Sequence, residues 1–173
     1  MTDKKENIIY TALRLFAEEG FNAVSTSRIA KEAKVSEGLI FRHFQNKKGL
    51  LDAIVEMTDQ KVSMLFGPFL FETDAQKAIH MILSLPFKID QKEQDFWKLQ
   101  YKLKWQDEYN NPHKMDPILK KLTWAFGELG YEEPQYEAMF LMKVMDAFAI
   151  AILRDGMEDM AKLESFLKKK YKI

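Results

Sequence analysis

Apolar residues recur at helical spacing along most of the chain, and no run of alternating β-branched residues predicts a strand. In the N-terminal third the pattern predicts a helix over about residues 2–19, two short helices within residues 25–44, and a fourth over about residues 47–64. Gly20 is expected to stop the first helix and Gly67-Pro68 the fourth.

The rest of the chain contains five further helical patterns, each bounded by residues that start or stop a helix. They run from Asp74 to Pro86, from Asp90 to about Tyr109, from Asp116-Pro117 to Gly130, from Pro134 to Leu153, and from about Met157 to Lys170. The predicted fold class is therefore all-α, with about nine helices.

Residues 25–48 hold the two short helices, which Lys34-Val35-Ser36 separates. Each is only about two turns long, so the pair must pack on other helices to be stable. A short turn between two such helices is the helix-turn-helix arrangement. Ser25 and Ser36 are expected to cap them, because each hydroxyl can accept from an unpaired amide of the first turn. The polar residues expected to face outward on the second helix are Glu37, Arg42 and His43.

Composition excludes several classes of site. The 173 residues include no cysteine, so disulfides, thiolate metal sites and cysteine nucleophiles are absent, and a reducing compartment is the natural location. The N-terminus is polar and unlike a signal peptide. The longest apolar stretch, from Ala138 to Leu153, is interrupted by Lys143 and Asp146 and falls short of a membrane span. We therefore expect a cytoplasmic protein.

The formal net charge is zero, but the charge is unevenly distributed. Residues 25–48 carry six basic side chains against two acidic ones, so the remainder of the chain is acidic by the same excess of four. A basic patch on an acidic body draws a polyanion to one face of the molecule.

A family resemblance rests on residues 8–55, which include L-R-L-F-A-E-E-G-F-N-A-V-S-T-S-R-I-A-K-E-A-K-V-S-E-G-L-I-F-R-H-F-Q-N-K-K-G-L-L. This segment resembles the DNA-binding domain of TetR-type bacterial transcription regulators. The matching positions include Leu15-Phe16, Gly20-Phe21, Ile29-Ala30, Val35-Ser36, Gly38, Phe41, Phe44, Lys47 and Leu50-Leu51. The resemblance implies a helix-turn-helix domain over residues 1–45 and a helical effector-binding and dimerisation domain over residues 46–173.

By this resemblance, the helix from Glu37 to His43 would lie in the major groove of DNA, where Gly38 would allow close approach. Phosphate contacts would position the protein and base-edge contacts would specify sequence. The residues expected at the DNA are Ser25, Ser27, Arg28, Ser36, Glu37, Gly38, Ile40, Phe41, Arg42, His43, Lys47 and Lys48. Glu37 would repel phosphate, so a capping role or a contact with cytosine is also open.

Two positions depart from the family pattern. Phe41 stands where the family often has tyrosine, so a hydroxyl contact to phosphate is missing. Lys34 stands where glycine is common in the turn, and a left-handed lysine would cost on the order of 1 kcal/mol.

The C-terminal half is rich in aromatic residues and methionine, which fits either a ligand cavity or an ordinary core. The resemblance favours an effector site for an apolar or aromatic molecule. The residues expected there are Phe66, Phe69, Met81, Trp97, Tyr101, Trp105, Trp124, Met142 and Met145, with Trp97, Tyr101 and Trp105 as the preferred wall.

The helix after Pro134 is apolar on nearly every side, which fits either a buried central helix or a dimer interface. The resemblance favours a homodimer in which this helix and the last one form a four-helix bundle with their counterparts. The residues expected at that interface are Phe140, Val144, Ala147, Phe148, Ala151, Met160, Leu163 and Phe166.

These expectations combine into a homodimeric transcription regulator, a repressor that a small apolar or aromatic effector releases from a palindromic operator. The alternative is an architectural or division-associated DNA-binding protein without an effector. No enzyme is expected, because no nucleophile or phosphate-loop pattern is present. No cofactor or metal is predicted either, since His80 and His113 lack a second histidine nearby.

Overall fold

The computed structural model of the chain describes residues 3–88, 90, 93–103, 113–155 and 160–172. These residues form nine α-helices, one short 3-10 helix and no strand, which confirms the all-α prediction. The helices are α1 (Asp3–Glu19), α2 (Thr26–Glu32), α3 (Glu37–Phe44), α4 (Lys47–Phe71), α5 (Ala75–Ser84), α6 (Gln94–Leu103), α7 (Asp116–Glu128), α8 (Pro134–Asp155) and α9 (Met160–Lys170), with the 3-10 turn at Pro86–Lys88.

Most helix ends lie where the sequence signals placed them. Gly20 follows α1 in the left-handed region, with a φ of +88°, and its amide donates to the Phe16 carbonyl. Asp74 caps α5, since its carboxylate accepts from the Lys77 amide at 2.9 Å. Side-chain oxygens at such positions satisfy amides that have no partner inside the helix.

Helix α4 does not end at Gly67-Pro68, so that prediction was wrong. The helix continues through Pro68 to Phe71. Proline removes only one amide donor, and the last turn places Phe69, which is 1% exposed, in an apolar core. Burial of that side chain outweighs the local preference of proline to end a helix.

Helix α6 begins at Gln94, four residues after the start predicted at Asp90. Asp95 lies in its first turn, where the helix dipole favours negative charge. The remainder of the predicted helix, residues 104–109, lies outside the described residues.

The chain divides into two compact units. The first consists of Met1–Val62 and Lys92–Tyr109. In it, α1 packs on α2 and α6, and α2 packs on α3. The apolar stripe of α1 is buried as predicted, at Ile8, Ile9, Ala12, Leu13, Leu15, Phe16 and Ala17.

The second unit consists of Ser63–Gln91 and Asn110–Ile173. Its core is built on the pairing of α7 with α8, to which α5 and α9 add apolar side chains. The Phe126 ring lies at its centre, 4.9 Å from the Tyr131 ring and 5.7 Å from the Tyr171 ring by centroid distance.

These packing units divide the chain differently from the functional boundary expected between residues 45 and 46. The expected boundary lies just before α4, which begins at Lys47. Packing instead assigns the first part of α4 and all of α6 to the first unit. The functional boundary stays a prediction. Across the described ranges, no helix combines the length and the apolar character that a membrane crossing requires.

Candidate nucleic-acid interface

Helices α2 and α3 are joined by a tight turn. The Ser25 hydroxyl caps α2 as predicted, since it accepts from the Arg28 amide at 3.2 Å. After α2, Lys34 adopts a φ of +55°, and the Val35 amide returns to the Ala30 carbonyl at 2.9 Å. The left-handed lysine expected from the sequence is therefore confirmed.

The first turns of α2 and α3 are held together by one hydrogen bond. The Thr26 hydroxyl donates to the Glu37 carboxylate at 2.6 Å. This contact gives Glu37 a structural role between the two helices. A cytosine contact by the same carboxylate stays a prediction.

Helix α2 is also tied to α1. The Asn7 amide side chain donates to the Ala33 carbonyl at 2.8 Å, and Arg14 pairs with Glu32 at 2.7 Å. Arg28, expected at a phosphate, lies 2.8 Å from a Glu19 carboxylate oxygen. Arg28 is still half exposed, so a phosphate contact would have to compete with that ion pair.

Helix α3 has a buried face and an exposed face. Ile40 and Phe44 point into the core, at 0% and 5% exposed. The prediction of a DNA contact by Ile40 is corrected, because a side chain with no exposed surface supports the helix from beneath. The exposed positions on the opposite face are Gly38, Phe41, Arg42 and Gln45, at i, i+3, i+4 and i+7.

Ser36 occupies the position before α3 but makes no capping hydrogen bond with its side chain. The predicted capping role of Ser36 is therefore wrong, and its exposed hydroxyl is left for other contacts. Gly38 follows in the first turn, and a Cβ atom there would meet nothing within 4 Å. No contact inside the described chain requires glycine at this position, and the expected close approach of DNA stays a prediction.

Lys47 at the start of α4 closes the loop after α1. Its ammonium donates to the carbonyls of Phe21 and Val24, each at 2.9 Å, and lies 4.4 Å from the centroid of the Phe21 ring. A lysine has three N–H donors, so one remains for the predicted phosphate contact. Lys48 is exposed and pairs with Asp52 at 3.3 Å.

The corner between α3 and α4 is tightly constrained. Gln45 has a φ of 66° and a ψ of −44°, and the Asn46 amide bonds back to the Phe44 carbonyl at 2.8 Å. This pattern is a γ-turn, which is strained in this hand. Asn46 caps α4, since its side-chain oxygen accepts from the Gly49 amide at 2.8 Å. The hydrophobic pattern did not predict the strained turn.

Two short packed helices, a tight turn and an exposed face on the second helix define a helix-turn-helix protein. Residues 8–54 match the family described as bacterial regulatory proteins, tetR family. The match covers 47 of the 173 residues and places this segment of the chain in the tetR family.

Relatives with known sequences show how far the similarity extends. The chain is 47% identical to the uncharacterized HTH-type transcriptional regulator YerO of Bacillus subtilis over 51 residues, which are 30% of this chain and only 18% of YerO. It is 27% identical to the regulator YvkB of the same species over 147 residues, 80% of this chain and 75% of YvkB. It is 30% identical to the nucleoid occlusion factor SlmA of Mannheimia succiniciproducens over 79 residues, 45% of this chain and 37% of SlmA.

Solved structures share the fold over nearly the whole chain. A TetR-like transcriptional regulator from Rhodococcus sp. RHA1 superposes with a TM-score of 0.79 at 14% identity, covering 91% of this chain and 88% of that one. The regulator FadR of Bacillus subtilis, in complex with stearoyl-CoA, gives a TM-score of 0.69 at 19% identity, with 96% of each chain covered.

Some of the residues expected at an effector site are buried in the core, and others are half-buried and accessible enough to line a pocket. In the second unit, Phe69 and Met145 are 1% and 8% exposed and belong to the core, whereas four others are half-buried against it: Phe66, Met81, Trp124 and Met142. In the first unit, Trp97 and Tyr101 are half-buried, and the Trp97 indole N–H is covered without a partner among the described residues. Trp105 lies outside the described residues.

The residues expected at a dimer interface lie on α8 and α9, and their exposed members form an outer stripe on each helix, whereas Val144 and Phe148 pack against the core of the second unit. Phe140 and Phe166 are 55% and 60% exposed, Ala147 is exposed, and Val144, Phe148, Ala151 and Leu163 are half-buried. The side chain of Met160 lies outside the described part of the structure. The stripe also includes three exposed apolar residues that the sequence did not single out, Tyr136, Met139 and Ile150.

The first unit also has an open crevice of about 370 Å³ between α1, α4 and α6, which the sequence did not predict. Tyr10, Met57 and Phe96 line it together with the charged Arg14 and Lys61. Elsewhere, His113 pairs with Asp116 at 2.9 Å, and the residues that the structure describes contain no group of three or more side chains placed to bind a metal ion.

Proposed function

We propose that the chain is a homodimeric transcription regulator that binds a palindromic operator through α3 and releases it when an apolar or aromatic effector binds. The observation that carries the proposal is the combination of an exposed face on α3 with unpaired positive charge around it. Among the described residues, no carboxylate pairs with Lys31, Lys34 or Arg42, and all three are exposed. Unpaired cations beside a helix that fits the major groove are what DNA binding requires.

Each chain would read one half-site, so a palindrome needs two chains. The outer stripe of α8 and α9 supports dimerisation, because large apolar side chains such as Phe140 and Phe166 are otherwise left in water. Burying them against a second copy would make the four-helix bundle predicted from the sequence. The two copies of α3 would then lie about 34 Å apart, or somewhat more, in successive major grooves of the operator.

In the second unit the effector proposal rests on the half-buried Phe66, Met81, Trp124 and Met142, and in the first unit it rests on the Trp97 N–H, which has no partner among the described residues. A covered donor without a partner is costly, so a ligand acceptor that reached it would gain affinity. The stearoyl-CoA bound by the structurally similar FadR suggests a long acyl chain as one effector class to test. Effector binding would favour one arrangement of the helices around the effector. It would thereby favour one distance between the two copies of α3 in the dimer.

The DNA proposal is tested by Arg42→Ala against a matched control, Lys120→Ala, which removes an exposed positive charge from α7 in the second unit. We expect Arg42→Ala to weaken operator binding at least tenfold while Lys120→Ala binds normally, since a good major-groove contact contributes about 1–3 kcal/mol. Gel-shift titrations with the inverted repeat nearest the gene measure this. Normal binding by Arg42→Ala would contradict the docking of α3.

A second candidate is a DNA-binding protein without an effector, which the similarity to the nucleoid occlusion factor SlmA favours. The two are separated by thermal stabilisation across a library that contains aromatic compounds, fatty acids and acyl-CoA esters. A regulator should gain stability from a specific ligand that also releases DNA. A protein whose second unit is only a packed core should give no such ligand.

A further inference from the structure

The distribution of exposed apolar residues in the first unit is uneven. Two large hydrophobic side chains of its described residues are exposed, Tyr10 at 51% and Phe41 at 45%. Tyr10 has a hydroxyl group and lines the crevice. Phe41 is therefore the one exposed large side chain of the described first unit that is wholly hydrocarbon, and it lies on the outward face of α3.

Nothing within the described chain explains this exposure. The Phe41 ring has no aromatic or cation partner among the described residues, unlike Phe44 beneath the helix, whose ring lies 6.0 Å from that of His43. Gly38, one turn earlier on the same face, has no side chain that could cover the ring. The ring is thus uncovered on the side from which a ligand of α3 would approach.

The chemistry of the ring limits what it can recognise. A phenyl group donates no hydrogen bond, so it cannot hold a phosphate oxygen as a tyrosine at this position could. The edges of the bases in the major groove offer hydrogen-bonding groups and a single hydrocarbon group, the C5-methyl of thymine. An apolar ring at that surface gains free energy by removing this methyl group from water.

We propose that Phe41 is a specificity-determining residue that recognises thymine in the operator through its C5-methyl group. This inference rests on the proposed docking of α3 in the major groove. Phe41 would select thymine by apolar contact, while the neighbouring Arg42, exposed on the same face, supplies the polar contact.

The test replaces thymine by deoxyuridine, which removes the methyl group and leaves base pairing unchanged. An operator is first selected by the wild-type protein from a pool of random DNA duplexes. Each thymine of one half-site, with its symmetry mate, is then replaced in turn. We expect one or two positions at which the wild-type affinity falls roughly fourfold per methyl group removed, as the burial of one methyl group implies.

Phe41→Ala should bind the thymine operator more weakly than the wild type does. Its affinity should fall no further when deoxyuridine replaces thymine at the positions that affect the wild type. Since Phe41 is exposed, the variant should keep its fold, which a thermal melt checks. Phe41→Tyr, which keeps the ring, should stay sensitive to deoxyuridine. Lys48→Ala, which removes an expected phosphate contact, should bind every duplex more weakly and keep the full methyl dependence.

Three results would overturn the inference. They are a selected half-site without thymine, a wild-type affinity that no deoxyuridine changes, and a Phe41→Ala variant as sensitive as the wild type at the same positions. Failure to select any sequence would instead contradict the proposed operator binding, and the inference with it. The two failures are therefore distinguishable.

Discussion

The carbonyl oxygen of Phe44 occupies the space that a side chain at Gly49 would need, since a Cβ atom there would lie only 2.1 Å from it. This close approach lets the chain turn from α3 into α4 through the strained Gln45. The corner therefore fixes the end of α3 relative to the start of α4.

We predict that Gly49→Ala destabilises the protein by about 1–3 kcal/mol, because the carbonyl belongs to the backbone and can move only by distorting the corner. The matched control is Gly127→Ala in α7, where a Cβ atom meets nothing within 4 Å. That change should raise stability by up to about 1 kcal/mol. Urea unfolding measures both, and equal effects at the two glycines would contradict the steric account.

The left-handed conformation of Lys34 leads to a prediction that separates strain from charge. Lys34→Gly should raise the free energy of unfolding by up to about 1 kcal/mol, because glycine adopts a φ of +55° without strain. Lys34→Ala keeps the strain, so it should not. Both remove one charge from each chain, so with two chains on the operator each variant should reduce the slope of log affinity against log salt by about 2. A wild-type slope in either variant would place Lys34 away from DNA.

Gly38 provides a test of close approach. A Cβ atom at this position meets nothing in the chain, so Gly38→Ala should leave stability unchanged or slightly higher. If DNA approaches the backbone there, the same change should weaken operator binding about tenfold or more. Paired thermal melts and anisotropy titrations measure the two effects, and undiminished affinity would show that the DNA surface lies elsewhere on α3.

Tyr171 should make the second unit sensitive to alkali. Burial, with a smaller effect from Glu137, raises the pKa of Tyr171 from 10.0 to about 12. The folded chain therefore keeps this proton when the unfolded chain loses it, so the stabilisation is complete below about pH 10 and is lost as the pH rises to about 12.

Tyr171→Phe should remove part of this loss of stability at alkaline pH. At neutral pH it should not destabilise the protein, because the hydroxyl is buried without a partner in the described structure. Urea midpoints between pH 9 and pH 11 measure the effect. Tyr10→Phe, at a half-exposed tyrosine, is the control and should follow the wild type. Identical pH profiles for all three proteins would refute the role of Tyr171.

Features that depend on local chemistry could be predicted from the sequence. The buried stripe of α1 and the caps at Ser25 and Asp74 follow from residue type and spacing, whereas the left-handed Lys34 was expected only from the family pattern, which often has glycine there. They hold because the relevant partners are only a few residues away in the chain.

Features that depend on distant packing could not be predicted. The burial of Phe69 carries α4 through Pro68, and the underside of α3 buries Ile40. Ser36 lies at the N-cap position of α3, yet its hydroxyl makes no capping hydrogen bond. The Glu37 carboxylate instead accepts from the Thr26 hydroxyl of α2. In each case the decisive neighbour lies on another element, which spacing along the sequence does not reveal.

The central claim is that two copies of the chain, joined through α8 and α9, read the two halves of one operator. Its most direct test is the mass of the complex with a palindromic operator and with a single half-site, measured for the wild type and for Phe140→Glu, which places a charge in the exposed apolar stripe. We predict two chains on the palindrome, binding at least a hundredfold tighter than to the half-site, and loss of that advantage in the variant. One chain per palindrome, or equal affinity for both duplexes, would contradict the account.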